Sequence, residues 1–373
     1  MTKYRFDEIA INSTQKKKPT EEDKVYYIGL EHIDPGCFDV VRWGSDIAPT
    51  GDKLLMQKGD VLFGKRRAYQ RKVAIAPFDG IFSAHGMVLR PNLKVIDANY
   101  FPFFISSDKF MDIAIRISVG GLSPTINWKD LAKQEFELPS LEEQKVLADK
   151  LWAAYRLKQA YKKLLAATDE MVKSQFIEMF GKANMRKLDN YIQVIRGVSY
   201  KPSDVKTATD TNTVIILRSN NINDANLNTD EIVYINKDRV SEEQYIRIND
   251  IVVCASNGSK ALVGKAAINK HLKDKYAHGA FCLLVRPNEG INPMYLSMFF
   301  QTSLYKKQID ELAAGSNILN IKQEHLTNLV LPLPSMEEQD KFAKIVKQAD
   351  KSKFELKQCI ENIDKVIKSL ING

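Results

Sequence analysis

The stretch Leu138-Pro139-Ser140-Leu141-Glu142-Glu143-Gln144 decides the organisation of this chain, because it returns as Leu333-Pro334-Ser335-Met336-Glu337-Glu338-Gln339. The second copy begins 195 residues after the first, and residues 100–144 align with residues 295–339 at this offset without a gap. A period this long indicates a duplicated domain, since solenoid repeats run to roughly 20–50 residues. The sequence therefore predicts two similar halves with two similar working surfaces, which suits a target in two parts.

Each copy also carries the signal for the start of a long helix. A serine follows a proline, and a glutamate three residues after the serine completes a capping box that satisfies free amide groups. Residues 140–180 and 335–372 then contain neither proline nor interior glycine. At ~1.5 Å per residue, a helix of about 38 residues is near 57 Å long. The predicted order is globular, long helix, globular, long helix.

Both predicted helices carry an apolar seam in steps of three and four residues, which indicates that they pack on each other. Lys158 and Lys353 interrupt the two seams at the same place. Either these lysines fix the register from inside the seam, or they reach out to solvent from its edge. Matching stripes favour an antiparallel pair that relates the halves by a pseudo-twofold axis. The seams run Leu147, Leu151, Ala154, Lys158, Tyr161, Leu165, Thr168, Val172, Gln175, Met179 and Phe342, Val346, Ala349, Lys353, Leu356, Ile360, Ile363, Ile367, Leu370.

The two globular segments mix short β-rich runs with turn residues and share landmarks. Residues 59–62 match residues 249–252, His85 matches His278, and Arg90-Pro91 matches Arg286-Pro287. We therefore predict an α+β fold, with two similar mixed α/β domains separated by two long helices that form an antiparallel coiled coil. The predicted bounds are 1–139 for the first domain, 140–183 for the first helical spacer, 184–334 for the second domain and 335–373 for the second spacer.

Composition limits the class of protein. The 373 residues are 44% hydrophobic and 27% charged, as in ordinary soluble proteins, and no apolar run approaches the roughly 20 residues that cross a bilayer. Four scattered cysteines form no metal-binding spacing, so we expect a cytoplasmic protein with free thiols, without metal or membrane. The net charge of +8 favours a polyanionic partner.

The duplicated proline, Glu-Glu-Gln and long-helix arrangement resembles the specificity subunits of type I restriction–modification systems, over essentially the whole chain. The spacer end Ser174–Gly181 and the strand segments at Asp60 and Asp250 belong to the same resemblance. It implies two target-recognition domains that each read one half of a split double-stranded DNA sequence, and spacers that bind two adenine-N6 methyltransferase subunits. S-adenosylmethionine would then be held by those partners and no cofactor by this chain. Whether a motor–nuclease (restriction) subunit joins stays open.

Two segments of the first half are the predicted DNA contacts. One is the acid-free basic run from Lys65 to Lys72, and the other is the glycine-led loop from Gly120 to Lys129, which resembles the DNA-facing loop of the family. Lysine and arginine neutralise phosphates, whereas arginine, lysine, asparagine and glutamine read base edges. The alternative for the basic run is a solvated hairpin tip. The candidates are Lys65, Arg66, Arg67, Tyr69, Gln70, Arg71, Lys72, Ser123, Thr125, Asn127 and Lys129.

The second half carries different chemistry at the corresponding places. Residues 255–260 replace the arginine-rich run with small polar residues, which indicates a second reader of a different sequence. The candidates are Ser199, Tyr200, Lys201, Asn257, Ser259, Lys260, Asn317, Asn320 and Lys322.

Catalysis by this chain is not expected. The nearest stretch to an amino-methyltransferase loop, Asn292-Pro293-Met294-Tyr295, lacks the second proline, and no nucleophile pattern accompanies His85 or His278. The sequence thus predicts a non-catalytic subunit that reads DNA and assembles enzymes. Two alternatives are a duplicated coiled-coil scaffold that binds protein or RNA without reading DNA sequence, and a self-contained methyltransferase. The different side chains in the matched loops of the two halves argue against the scaffold. The absence of cofactor-binding and catalytic loops from the sequence argues against the self-contained methyltransferase.

Overall fold

A computed structural model describes residues 1–206, 212–223, 225–273, 275–313 and 320–372. The chain divides into two compact units, unit 1 with residues 1–162 and 357–373, and unit 2 with residues 163–356. Each unit therefore combines one globular half with parts of both long helices. Among the described residues, none of the helices has the length and apolarity needed to cross a membrane.

The strands and helices alternate in a similar order in the two halves. The α-helices are Phe6–Ile9, Phe101–Ser106, Asp108–Arg116, Trp128–Leu131, Leu141–Phe180, Pro293–Phe299, Ser303–Ala313, Gln323–Thr327 and Met336–Asn372. The strands of the first half are Thr2–Arg5, Ala10–Ser13, Lys16–Lys17, Tyr27–Ile28, Lys53–Met56, Val61–Phe63, Val73–Ile75, Gly80–Phe82, Met87–Pro91 and Glu135–Leu138. Those of the second half are Met185–Lys187, Ile192–Arg196, Val205–Lys206, Thr213–Leu217, Ile222–Asn223, Asn226–Leu227, Val233–Asn236, Ile251–Cys254, Ala266–Ile268, Tyr276–His278, Cys282–Pro287 and Val330–Pro332.

Each half is built on one sheet whose central strands are buried. In unit 1, Met87–Pro91 pairs antiparallel with both Ala10–Ser13 and Val61–Phe63. In unit 2, Cys282–Pro287 pairs antiparallel with both Ile192–Arg196 and Ile251–Cys254. A second, four-stranded sheet accompanies the first in each unit. The mixed sheets, the repeated domains and the long helices agree with the predicted α+β class.

The two long helices run from Leu141 to Phe180 and from Met336 to Asn372, and we call them the first and second long helix. In unit 1, the N-terminal part of the first long helix packs with the C-terminal part of the second long helix. In unit 2, the C-terminal part of the first long helix packs with the N-terminal part of the second. An antiparallel pair has this property. Each helix also seals a core: Phe176 and Phe180 are fully buried against Tyr295 and Phe342 in unit 2.

The two seam lysines form matched ion pairs inside their units. Lys158, only 8% exposed, donates to Asp364 at 2.5 Å in unit 1, and Lys353 donates to Asp169 at 2.8 Å in unit 2. Both partners obey the same 195-residue offset. Lys158 is therefore not a solvent-directed side chain, and its placement favours the role in fixing register.

The start of each long helix has the predicted capping box. Glu143 accepts from the backbone nitrogen of Ser140 at 2.9 Å, and Glu338 accepts from that of Ser335 at 3.0 Å. The hydroxyls of both serines accept from the backbone nitrogens of the glutamates in return. Hydrogen bonds from Ser140 lower the pKa of Glu143, and those from Ser335 lower the pKa of Glu338.

The glutamine that closes each copy ties the long helix to its globular half. Gln144 and Gln339 are each 1% exposed. The side-chain oxygen of Gln144 accepts from the nitrogen of Asp97 at 2.8 Å, and that of Gln339 accepts from Asn292 at 2.9 Å. The side-chain nitrogen of Gln144 donates to the oxygens of Val95 and Pro139. A side chain with both donor and acceptor is needed at this position.

We expect Gln144→Ala to lower the free energy of unfolding of unit 1, and Gln339→Ala that of unit 2, each by about 1–3 kcal/mol. The reason is that truncation leaves buried backbone groups without partners. Hydrogen–deuterium exchange of the peptides at each helix start measures the change. Gln348→Ala, at an exposed position of the second long helix, is the matched control. Equal effects at positions 339 and 348 would contradict this function of the glutamine.

Candidate nucleic-acid interface

The structure brings together the two segments of unit 1 that the sequence singled out. The nitrogen of Ile126 donates to the oxygen of Lys65 at 3.0 Å, and the nitrogen of Arg67 donates to the oxygen of Pro124 at 2.7 Å. Arg66 and Thr125 form an antiparallel bridge. The basic run and the glycine-led loop are therefore one surface, joined by backbone hydrogen bonds.

Two arginines of this surface share one acceptor. The hydroxyl of Ser123 accepts from the guanidinium of Arg66 at 3.1 Å and from that of Arg67 at 3.1 and 3.3 Å. Arg66 also lies 3.3 Å from Nε2 of His85. Because an arginine only donates, this contact assigns the acceptor role to Nε2. Two cationic groups with spare donors are thus held side by side.

Desolvation and neighbouring positive charges disfavour the protonated form of His85. Partial burial lowers its pKa, and the positive charges of Arg66, Lys65 and Lys53 lower it further. The pKa of Lys65 is lowered by burial first and then by the charge of Lys16. Lys16 and His85 therefore belong to the basic surface, although no sequence pattern pointed to Lys16. Pairing of Lys16–Lys17 with Lys53–Met56 is a long-range contact that no local motif reveals.

The basic run has an unusual backbone. Arg67 and Arg71 have φ of 56° and 51°, in the left-handed region, and flank a single 3₁₀ turn over residues 68–70. For residues other than glycine such a conformation costs roughly 1–3 kcal/mol each, and it is concentrated at functional sites. Tyr69, in the turn, is 53% exposed. Tyr69 and Gln70 remain predicted DNA contacts.

The end of the run has partners within the unit. Arg71 donates to Asp108 at 2.6 Å and to the oxygen of Ser106 at 3.1 Å. Lys72 donates to the oxygen of Leu30 at 2.6 Å. These contacts hold the run in place, so Arg71 and Lys72 would need to exchange or share partners to touch DNA.

The remaining candidates of unit 1 lie in the glycine-led loop. The hydroxyl of Thr125 donates to the oxygen of Ser123 at 3.1 Å. Asn127 precedes the helix Trp128–Leu131 and lies 3.4 Å from Asp130, and both Asn127 and Lys129 are exposed. Asn127 and Lys129 thus present exposed polar side chains at the end of the glycine-led loop.

Unit 2 has the same scaffold with other side chains. The nitrogen of Ile321 donates to the oxygen of Ala255 at 2.8 Å, and Ser256 and Asn320 form an antiparallel bridge, as Arg66 and Thr125 do in unit 1. Asn257 donates to the hydroxyl of Ser219 at 3.0 Å and accepts from the nitrogen of Ser259 at 2.9 Å. This surface offers amides and hydroxyls where the other offers guanidinium groups.

Other candidates of unit 2 lie at its margin. Ser199 and Lys201 are exposed, and Tyr200 packs partly buried against the cluster of Val198. Lys322 is exposed and lies 3.5 Å from Glu324, and Lys260 is also exposed. Asn317 lies outside the described residues.

An exposed aromatic residue next to this loop escaped the sequence analysis. Phe281 is 70% exposed, and its backbone oxygen accepts from the nitrogens of Ala255 and Ser256 at 2.9 and 3.1 Å. It lies between the landmarks His278 and Arg286, which are three residues further apart than His85 and Arg90. This difference in spacing was the feature of the sequence that could have drawn attention to Phe281.

The matched histidines have opposite environments. His278 is fully buried, 3.2 Å from the oxygen of Ile195, and burial lowers its pKa to about 4 from 6.5, whereas His85 is exposed. His278 is therefore a structural residue.

Protonation of His278 gives unit 2 a pH-dependent stability. Because the folded pKa lies below the unfolded value, the stability is complete above about pH 6.5 and is lost as the pH falls toward 4, with about 2 kcal/mol gone by pH 5. Hydrogen exchange at pH 7 and pH 5, corrected for intrinsic rates, should show this loss in the wild type and not in His278→Gln. His271→Gln, at an exposed histidine of the same unit, should keep the wild-type slope. Equal slopes in all three proteins would contradict the assignment.

Comparisons with known proteins identify the family of this chain. The model of the type I restriction modification DNA specificity domain matches residues 3–166 and again residues 183–365. The chain is 37% identical over 169 residues to the type I restriction enzyme StySPI specificity subunit of Salmonella potsdam, covering 44% of this chain and 36% of that protein. It is 33% identical over 184 residues to the EcoKI specificity subunit of Escherichia coli K12, covering 48% and 39%. The chain thus matches well under half the length of these two relatives.

A solved structure described as the structural basis of complex assembly and conformational transition of the type I R-M system has a similar fold. Its TM-score is 0.59 at 17% identity, and the alignment covers 99% of this chain and 96% of that one. At this identity the likeness concerns the fold alone. Because two copies of the family domain together cover most of the sequence, the chain belongs to the type I restriction modification DNA specificity domain family.

Proposed function

We propose that this chain is the DNA-recognition subunit of a type I restriction–modification complex and reads a bipartite sequence, one half with each globular domain. The observation that carries the proposal is the pair of matched surfaces on one scaffold with unlike side chains. In unit 1 the bridge beside Arg66 presents guanidinium groups, and in unit 2 the bridge beside Ser256 presents amides and hydroxyls. Arginine favours guanine edges and asparagine favours adenine edges, so the two halves would prefer different bases.

The chain itself is proposed to be non-catalytic. The long helices would bind two methyltransferase subunits, which hold S-adenosylmethionine and methylate an adenine in each half-site at N6. Methylation requires that the adenine leave the base stack, and the partner enzyme would supply the pocket for it. A restriction subunit would join the same assembly where one exists. We place the complex in the cytoplasm, where chromosomal DNA is available.

The test is to express the chain with the methyltransferase encoded next to it and to map methylated adenines across the host DNA. We expect a split motif that requires both chains. Replacement of residues 184–334 by the corresponding domain of another family member should change one half of the motif and leave the other.

The controls separate recognition from assembly. Purification of the complex shows whether the subunits still associate when a motif is lost. An assembled complex without any motif would favour a scaffold that does not read DNA. Methylation by the purified chain alone would contradict the non-catalytic assignment.

A further inference from the structure

The glycine-led loop of unit 1 presents an exposed leucine. Val119 and Thr125 close the loop by two backbone hydrogen bonds of 3.1 and 2.9 Å, so residues 120–124 form a short finger. Leu122 lies at its centre and is 96% exposed. Gly120 has a φ of 114°, in the region that favours glycine, and this allows the tight reversal.

The finger is braced from one side by the arginines. The hydroxyl of Ser123, the next residue, accepts from both Arg66 and Arg67, and the oxygen of Pro124 accepts from the nitrogen of Arg67. Proline further restricts the backbone. The apolar tip is therefore held on a stiff support with two positive charges beside it.

A single exposed leucine needs no explanation on most protein surfaces. This one differs because it lies at the tip of a closed loop, within a polar and basic surface that we propose to face DNA. Apolar side chains presented in this way separate neighbouring base pairs in proteins that kink DNA, while nearby cations hold the phosphates. Separation of stacked bases is costly, so the side chain must be supported.

We propose that Leu122 is a wedge that enters the base stack of the first half-site, while Arg66 and Arg67 hold the flanking phosphates. This inference rests on the proposed DNA recognition and specifies how one half-site is read. A contact with a thymine methyl group is the simpler use of an apolar residue. It would not require the bracing by Ser123 and Pro124, and the braced geometry therefore favours the wedge.

The wedge predicts a local opening of the DNA that can be measured. The complex of the full chain with its methyltransferase is bound to duplexes of the mapped motif, with 2-aminopurine at successive positions of the first half-site other than the methylated adenine. This base analogue becomes several-fold brighter when it leaves the stack. We expect the 2-aminopurine fluorescence to rise at one base step with the wild type and with Leu122→Met, and at no base step with Leu122→Asn.

Affinity should follow the same order. Leu122→Asn, which installs the residue found at the matched position 317, should weaken binding about tenfold, and Leu122→Met should stay near the wild type. Leu93→Asn is the control, because Leu93 is also exposed. It follows the C-terminal end of the strand Met87–Pro91, whereas His85 of the basic surface precedes the N-terminal end. Leu93→Asn should change neither the fluorescence nor the affinity.

Three outcomes would overturn the wedge. The wild type could bind without a rise at any step, or Leu122→Asn could retain both the rise and the affinity. A loss of affinity that replacement of a thymine by uracil reproduces, without a fluorescence change, would assign Leu122 to a methyl contact instead. Failure of the proposed function is distinct, because the wild-type complex would then produce no split motif, and the wedge would fall with it.

Discussion

Asp250→Ala is expected to lower the free energy of unfolding of unit 2 by about 3–5 kcal/mol, because the largely buried guanidinium of Arg286 loses its carboxylate partner and keeps only the backbone oxygens of Glu243 and Tyr245 as acceptors. The carboxylate of Asp250 accepts from Arg286 at 2.8 and 3.0 Å and from the nitrogen of Arg247 at 2.7 Å. The two side chains of the pair are 2% and 14% exposed. Hydrogen exchange of the strands Ile251–Cys254 and Cys282–Pro287 measures the loss.

The other half of the chain contains the control for this prediction. Asp60 accepts from Arg90 at 2.7 and 2.9 Å and from the nitrogen of Gln57, so its carboxylate has the same kinds of donor as that of Asp250. Arg90 is 34% exposed, and water can take the place of the missing carboxylate. Asp60→Ala should therefore destabilise unit 1 by less than Asp250→Ala destabilises unit 2. The reverse order would show that burial of the arginine does not set the cost.

Arg66→Ala and Arg67→Ala are each expected to weaken binding to the split DNA target by about fivefold to a hundredfold, which corresponds to the loss of a good arginine contact of about 1–3 kcal/mol. Both guanidinium groups converge on Ser123 and have donors to spare. Fluorescence anisotropy of the complex on motif DNA, measured across a range of salt concentrations, gives the affinity and its salt dependence.

The salt dependence separates two uses of these arginines. Loss of a phosphate contact weakens binding to all sequences and reduces the salt slope by about one, whereas loss of a base contact relaxes the first half of the methylated motif. Lys94→Ala removes the same charge from an exposed position that follows the C-terminal end of the strand Met87–Pro91, away from the end that His85 precedes. This substitution should leave the affinity for DNA nearly unchanged. Equal losses for Lys94→Ala and Arg67→Ala would mean that only the net charge matters.

Much of the fold could be predicted because its signals are local or repeated. The capping boxes at Ser140 and Ser335 depend on residues three apart, and the helices begin where those boxes predict. The matched aspartate and arginine landmarks have matched structural roles, as the ion pairs of Asp60 and Asp250 illustrate, whereas the matched histidines differ in burial. The sequence contained these pairs but gave no indication that they touch, because the pairing of distant strands brings them together.

The site could be predicted only as two separate segments. Their hydrogen bonds join residues more than fifty positions apart, as between Arg66 and Ser123, and no pattern within either segment encodes the contact. The attachment of Arg71 to Asp108 was hidden for the same reason. Leu122 and Phe281 escaped because hydrophobicity in a sequence predicts burial, and only the three-dimensional structure shows that both are exposed.

The left-handed backbone at Arg67 and Arg71 has a consequence for engineering. Glycine would adopt these angles without strain, so stabilisation of the chain by relief of backbone strain would select glycine at both positions. Arg67→Gly would delete a cation proposed to hold DNA, and Arg71→Gly would remove the side chain that pairs with Asp108 and holds the basic run in place. A more heat-resistant version of this protein could thus be one that has lost half of its target sequence, and a screen for thermostability should score methylation of both half-sites together.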